Sequence, residues 1–91
     1  MLERHIEAKV VKWAKANGIK VKKKMFGEQL DRYFFLPGGK TVVIEFKQPG
    51  NKPTAIQSIE LAAMKALGFR AEWCDDAEKA IVILQEELCC G

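Results

Sequence analysis

Asp31, Glu45 and Lys47 are the residues of this chain whose types and spacing can do chemistry. Two carboxylates and an ammonium brought together suit hydrolysis of a phosphodiester. Oxygen donors hold a divalent cation, and the ammonium stabilises charge on the phosphate or orients the attacking water. Whether the three meet depends on what lies between them. Tyr33–Leu36 and Thr41–Phe46 are short apolar runs separated by Pro37-Gly38-Gly39-Lys40, a pattern that predicts an antiparallel hairpin. Side chains alternate along a strand, so Glu45 and Lys47 share one face and Phe46 takes the other.

Loop length sets the register. A loop of two or four residues leaves Asp31 opposite Phe46. A three-residue loop, Pro37-Gly38-Gly39, pairs Leu36 with Lys40 and Asp31 with Glu45. The two carboxylates then lie roughly 5 Å apart at Cβ. Anions held so close repel, a poor arrangement for stability and a good one for binding Mg²⁺ or Mn²⁺. Singly, Asp31 reads as a turn residue and Glu45 with Lys47 as an exposed edge pair. The unbroken apolar run Val42-Val43-Ile44 argues instead for a central strand, with Glu45 and Lys47 on the face of Val43.

The elements that must position these groups follow from periodicity. Ile6, Val10, Trp13 and Ala14 recur at helical spacing and predict a helix from about Leu2 to Asn17, ended by Gly18. Ile19–Phe26 reads as a lysine-rich strand, followed by the connection Gly27-Glu28-Gln29 and the hairpin. Gln48-Pro49-Gly50-Asn51-Lys52-Pro53 turns the chain away from the sheet. A second helix is expected from Thr54 to Leu67, with Ile56, Ile59, Ala63, Ala66 and Leu67 inward and Gly68 as its stop. Phe69–Cys74 is a fourth strand. Asp75 or Asp76 caps a last helix through Leu88, with Ala80, Ile81, Leu84 and Leu88 buried. The order α-β-β-β-α-β-α describes a mixed α/β domain over residues 1–91, a small mixed sheet flanked by helices with no internal repeat.

Ninety-one residues make one small domain, and close to half of them are apolar, so the chain should fold rather than stay disordered. No apolar run is long enough to span a bilayer, and no signal peptide opens the sequence. The three cysteines, Cys74, Cys89 and Cys90, are odd in number and show no disulfide framework, which favours a reducing cytoplasm. The lone His5 has no second ligand at a metal spacing and reads as a surface residue. A net charge of +3 by itself says little. Its distribution says more: Lys20, Lys22 and Lys24 share a face of the first strand, and Arg32, Lys40, Lys47 and Lys52 fall on or beside the hairpin. A basic surface next to a carboxylate site suits a polyanion such as DNA; lysines guarding an edge strand from aggregation are the plain alternative.

Two further polar residues border the site. Glu7 lies about 60° around the first helix from Val10 and nearly in line with Ala14. It can lean toward the sheet or remain a helix-surface carboxylate, with Glu3 one turn earlier on the same side. Gln57 completes a capping box with Thr54, and from the same position its amide can reach a phosphate or a water on the metal.

The stretch Leu30-Asp31-Arg32-Tyr33-Phe34-Phe35-Leu36-Pro37-Gly38-Gly39-Lys40, followed by Val43-Ile44-Glu45-Phe46-Lys47-Gln48-Pro49-Gly50, resembles the PD-(D/E)xK nucleases, and within them the virus-type replication-repair nuclease (VRR-NUC) domain. The likeness extends from about Glu3 to about Leu84, through Ile6-Glu7, Val10-Val11, Lys52-Pro53, Gln57 and Leu67-Gly68-Phe69. It implies a small restriction-endonuclease-like fold and a Mg²⁺- or Mn²⁺-dependent DNA endonuclease. Asp31 and Glu45 would be metal ligands, with the main-chain carbonyl of Phe46 as a third. Lys47 would orient or deprotonate the attacking water, Glu7 would complete the acidic cluster, and Gln57 matches the glutamine after the E-x-K strand. Lys20, Lys22, Lys24, Arg32, Lys40 and Lys52 would contact DNA. Leu30 stands where the family often has proline, a departure that costs no ligand.

Stand-alone members resemble Holliday-junction resolvases, so the implied partner is branched DNA, the implied state a homodimer, and the place a bacterial cell or a phage-infected host. Two other classes fit the same residues. A nucleic-acid-binding module on this fold would bind DNA in a salt-sensitive way without cutting. A structural domain would use Asp31, Glu45 and Lys47 as a plain ion-pair cluster and bind neither metal nor DNA.

Overall fold

Residues 2–23, 30 and 32–89 are described by the computed structural model. Among them the order is α1 (Glu3–Ala16), β1 (Lys20–Lys23), β2 (Arg32–Leu36), β3 (Lys40–Phe46), α2 (Ala55–Ala66), β4 (Arg70–Cys74) and α3 (Ala77–Cys89), the expected α-β-β-β-α-β-α. The sheet runs β1-β2-β3-β4. Its first three strands are antiparallel, and β4 joins β3 in parallel after the crossover through α2. A parallel neighbour requires such a crossover, and a helix is its usual form.

The hairpin has the three-residue loop. Leu36 pairs with Lys40, and the register runs back through Phe34↔Val42 to Arg32↔Ile44. Gly38 and Gly39 both take positive φ, +83° and +78°, which a side chain at either position would oppose. Proline then glycine is therefore what lets Leu36 and Lys40 face each other.

Two apolar layers hold the sheet. Phe34, Leu36, Val42, Ile44, Phe46 and Cys74 point to one face and pack with Ile6, Val10 and Ala14 of α1 and Ala77, Ala80, Ile81 and Leu84 of α3. Val43 and Ala71 point to the other face, where Leu30 and Leu61 of α2 meet them, with Tyr33 and Met64 alongside. Both alternations follow from the period of two on β3 and β4. Each large side chain so buried contributes about 1.5–3 kcal/mol. Phe34 and Phe46 meet edge to face, their ring centres 6.5 Å apart. The last helix starts at Asp76, whose carboxylate accepts from the Lys79 amide at 3.2 Å. Its buried side is Ala80, Ile81 and Leu84, with Leu88 partly covered.

Helix α2 has the expected ends, Thr54 as N-cap and Leu67 as C-cap, but not the expected face. Ile56, Ile59, Ala63, Ala66 and Leu67 all point to solvent; Leu61 is the residue it buries, with Met64 partly covered. The reason lies in what α2 covers. Among the described residues the cluster on this face is small, Leu30, Val43 and Ala71 with Tyr33 alongside, and from α2 one leucine and one methionine fill it. Gln57 is drawn inward to Glu45, which fixes the rotation of the helix and turns the isoleucines out. The strand expected over Ile19–Phe26 is described as Lys20–Lys23, with Ile19 buried before it; residues 24–29, Lys24 among them, lie outside the described residues.

Candidate active site

Glu45 is 2% exposed, the one buried charged residue among those described. The strand pattern puts it there: it follows Val43 on the α2 face, next to the last position of β3. A carboxylate in such a place must be compensated. Lys47 provides a charge, its Nζ 3.5 Å from Glu45 Oε2, and is itself only 14% exposed. Lys47 lies just past the end of β3, yet its amide donates to the Cys74 carbonyl at 2.9 Å. That bond continues the pairing with β4 and keeps Lys47 on the face of Glu45, as the E-x-K spacing requires.

Gln57 provides the second contact, donating through Nε2 to Glu45 Oε2 at 3.1 Å. The expected capping box is present, and the same side chain also reaches the Glu45 carboxylate. Its backbone amide donates to the Thr54 hydroxyl oxygen at 3.1 Å, and its Oε1 accepts from the Thr54 amide at 3.0 Å, a capping box. The cap decides the amide's orientation: Oε1 is taken by Thr54, so the NH₂ end faces Glu45. A helix end thereby doubles as the lock on a site carboxylate. Because Gln57 lies at the start of α2 while Leu61 and Met64 pack on Val43 and Ala71, the helix presents its N-terminal end to Glu45. The positive end of its dipole favours an anion there.

Glu7 and Arg32 meet each other. Arg32 Nε donates to Glu7 Oε1 and the pair is mostly buried. Arg32 is on the α1 face of β2, the alternate side from Glu45, so this ion pair ties helix α1 to the residue that follows Asp31. Asp31 itself lies outside the described residues. Among the described residues no group of three histidine, cysteine, aspartate or glutamate side chains could hold a metal ion. Of the expected ligands, the Glu45 carboxylate and the Phe46 carbonyl are described, and both are hard oxygen donors of the kind that suit Mg²⁺ or Mn²⁺.

The basic residues separate along the sheet. Lys20 pairs with Phe35 and Lys22 with Tyr33; both are exposed, as are Lys23 and Lys52. Lys40 sits at the hairpin end, where its Nζ donates to the Glu87 carbonyl at 2.8 Å, and roughly 17 Å of strand separates it from Glu45. Lys23 pairs with Arg32 and so lies at the site end of β1. His5 and Cys89 are exposed and Cys74 is buried; Cys90 is outside the described residues. No described helix is long and apolar enough to cross a membrane.

Trp73 is the neighbour the sequence did not point to. It is the cross-strand partner of Glu45 in the parallel β3–β4 pair, and it is 38% exposed. Nothing local marks it; only the register of a strand pairing across the α2 crossover places it beside Glu45.

No family model matches the chain. A solved structure described as a VRR_NUC domain aligns with a TM-score of 0.81 over 91% of this chain and 94% of that one, at 20% identity. The chain thus has the VRR-NUC fold, as the motif resemblance implied. A protein of Acyrthosiphon pisum secondary endosymbiont phage 1, named "Putative nuclease p44", is 38% identical over 53 residues, which are 58% of this chain and 57% of that protein. The matched stretch therefore spans little more than half of the phage protein's length.

Proposed function

We propose that this chain is a divalent-metal-dependent DNA endonuclease that hydrolyses phosphodiester bonds and acts on branched DNA as a homodimer. The observation that carries the reading is Glu45: a buried carboxylate at the end of a central strand, with Lys47 and Gln57 on the same oxygen, Oε2. A fold has no structural need of an anion there, and a hydrophobic residue would cost nothing to place. The VRR-NUC fold and the phage protein's name support a nuclease in particular.

In this reading Asp31 and Glu45 hold the cation, with the Phe46 carbonyl beside them. Arg32, the residue after Asp31, pairs with Ile44, the residue before Glu45, the register that the expected meeting of Asp31 and Glu45 requires. When bound, the cation neutralises phosphate charge and lowers the pKa of a water it carries. The chain's own residues supply the rest. Lys47 stands beside the carboxylate, where its ammonium orients the nucleophile and offsets charge growing on the phosphoryl oxygens. Gln57 holds the Glu45 carboxylate in one orientation. Glu7 we assign to Arg32, since a carboxylate already matched by a guanidinium is a poor further ligand for a dication. Lys20, Lys22, Lys23 and Lys52, exposed on the sheet and its following loop, offer phosphate contacts, and Lys24 extends the same run.

The homodimer rests on α2. Ile56, Ile59 and Leu67 are 62%, 69% and 74% exposed, a helical stripe of large apolar side chains that a second copy can cover. Two sites related by a two-fold axis suit a branched substrate with the same symmetry.

The test is cleavage of a labelled four-way junction beside linear duplex and flap controls, with Mg²⁺, Mn²⁺ or EDTA. Symmetric nicks in the junction alone, dependent on metal, are expected. Asp31→Asn and Lys47→Ala should abolish cleavage while DNA binding persists. Cutting by either variant at the wild-type rate would overturn the site assignment. Salt-sensitive binding without cleavage under any metal would point to a binding module on the same fold.

A further inference from the structure

We infer that Trp73 is a stacking platform for an unstacked nucleobase next to the phosphate being cut, an inference that rests on the nuclease reading above. On β4, Ala71 packs under α2 with Val43 and Leu61 while Cys74 packs on the opposite face. Alternation therefore puts Trp73 on the α2 side, the face of Glu45 and Lys47. Its Cα partner is Glu45, on an adjacent strand about 4.8 Å away. Helix α2 does not bury it: the covered part of β4 is at Ala71, and Trp73 lies toward the helix start, where Gln57 reaches Glu45. The indole is thus both exposed and adjacent to the charged cluster.

Its surroundings say what it meets. A tryptophan left 38% exposed between a buried carboxylate and solvent does not serve the apolar core. Lys47, one strand over, draws a phosphate to within a nucleotide's reach. Each phosphate brings its base with it, and a base is the flat, sequence-neutral partner that an indole beside a phosphate site would stack on. A fully paired, fully stacked duplex offers no such face, so the platform favours DNA with an unpaired base at the cut. Stacking gains little from charge. Loss of the indole should then weaken binding equally at all salt concentrations, whereas loss of a lysine should also flatten the salt dependence.

The experiment measures binding of a fluorescently labelled oligothymidylate in EDTA across a salt series, for wild type, Trp73→Phe and Trp73→Leu. It is paired with Mg²⁺-dependent cleavage of the four-way junction by wild type, which tests the nuclease reading separately. Leucine keeps an apolar side chain and removes the ring, so the fold is preserved in the comparison. Trp73→Leu is expected to bind about tenfold more weakly with an unchanged salt slope, and Trp73→Phe to restore most of the loss. Equal oligothymidylate binding by wild type and Trp73→Leu, with wild type cutting the junction, would overturn the platform and leave the nuclease standing. A change of oligomeric state in Trp73→Leu with unchanged binding would likewise overturn it, assigning the indole to a subunit contact. A wild-type protein that neither binds nor cuts DNA would overturn both readings.

Discussion

At the residue scale, Glu45 shows what the site costs. A buried carboxylate loses its hydration, and Lys47 with the Gln57 amide returns only part of that. If Asp31 stands opposite, as proposed, two anions share the place, and the structure is held against its own repulsion until a cation arrives. Asp31→Asn should then raise stability in EDTA by up to about 1 kcal/mol, moving Tm by about 4–8 °C in a domain of this size. The same variant should lose the rise in Tm that Mg²⁺ or Mn²⁺ gives wild type. Thermal melts with and without metal read both effects, and a lower Tm for the variant in EDTA would remove Asp31 from the cluster. Cys74 behaves as a buried apolar group: desolvation pushes its thiol up to about 11, aided by Glu72 nearby. A thiol whose pKa is higher folded than unfolded adds stability below the unfolded value and loses it as pH rises toward the folded one. Wild type should therefore lose stability between about pH 9 and pH 11 faster than Cys74→Ala, in denaturant titrations across that window. Parallel curves would mean that the thiol titrates alike in both states. The types and spacing of Asp31, Glu45 and Lys47 were legible in the sequence. Trp73 was not, because its relation to Glu45 exists only once β4 has paired with β3.

At the element scale, α2 carries two duties through one residue pair. Thr54 and Gln57 satisfy the first amides of the helix, and the satisfied cap aims Gln57 at Glu45. The capping box was visible as Thr-Ala-Ile-Gln, and so were both ends of the helix. Its inner face was not. Apolar periodicity picked out Ile56, Ile59 and Leu67, because the larger side chains lie there and a lone sequence does not say how shallow the covered strip is. Thr54→Ala should cost about 1 kcal/mol of stability as a lost cap. It should also lower cleavage, by freeing Gln57 to rotate away from Glu45. Thr54→Ser, which keeps the cap, should restore both. Reduced stability with undiminished cleavage would separate the cap from the site. The hairpin was more fully legible: Pro37-Gly38-Gly39 fixes the loop at three residues, and Leu36↔Lys40 follows from it.

At the scale of the whole molecule, the two faces of the sheet differ in how they are closed. One carries α1 and α3 over a continuous core. Among the described elements the other carries α2 as its one helix, above a small cluster, and α2 turns its isoleucines outward. That asymmetry explains how a chain apolar enough to fold still leaves the apolar stripe of α2 in solvent. The sequence holds enough hydrophobic residues for a larger core than one copy uses. A second copy apposing α2 to α2 would bury Ile56, Ile59 and Leu67 from both chains, an isologous contact in which each stripe meets its own image. Ile59 lies midway along the stripe and makes no described contact with the core, so a charge there should leave the monomer folded. Ile59→Lys is expected to halve the apparent mass in sedimentation equilibrium with little change in far-UV circular dichroism. Junction cleavage should then lose its pairing, giving single nicks instead of coordinated ones, because each monomer still holds Glu45, Lys47 and Gln57. An unchanged mass in Ile59→Lys would move the subunit contact elsewhere, and a monomeric wild type would leave the α2 stripe to another occupant.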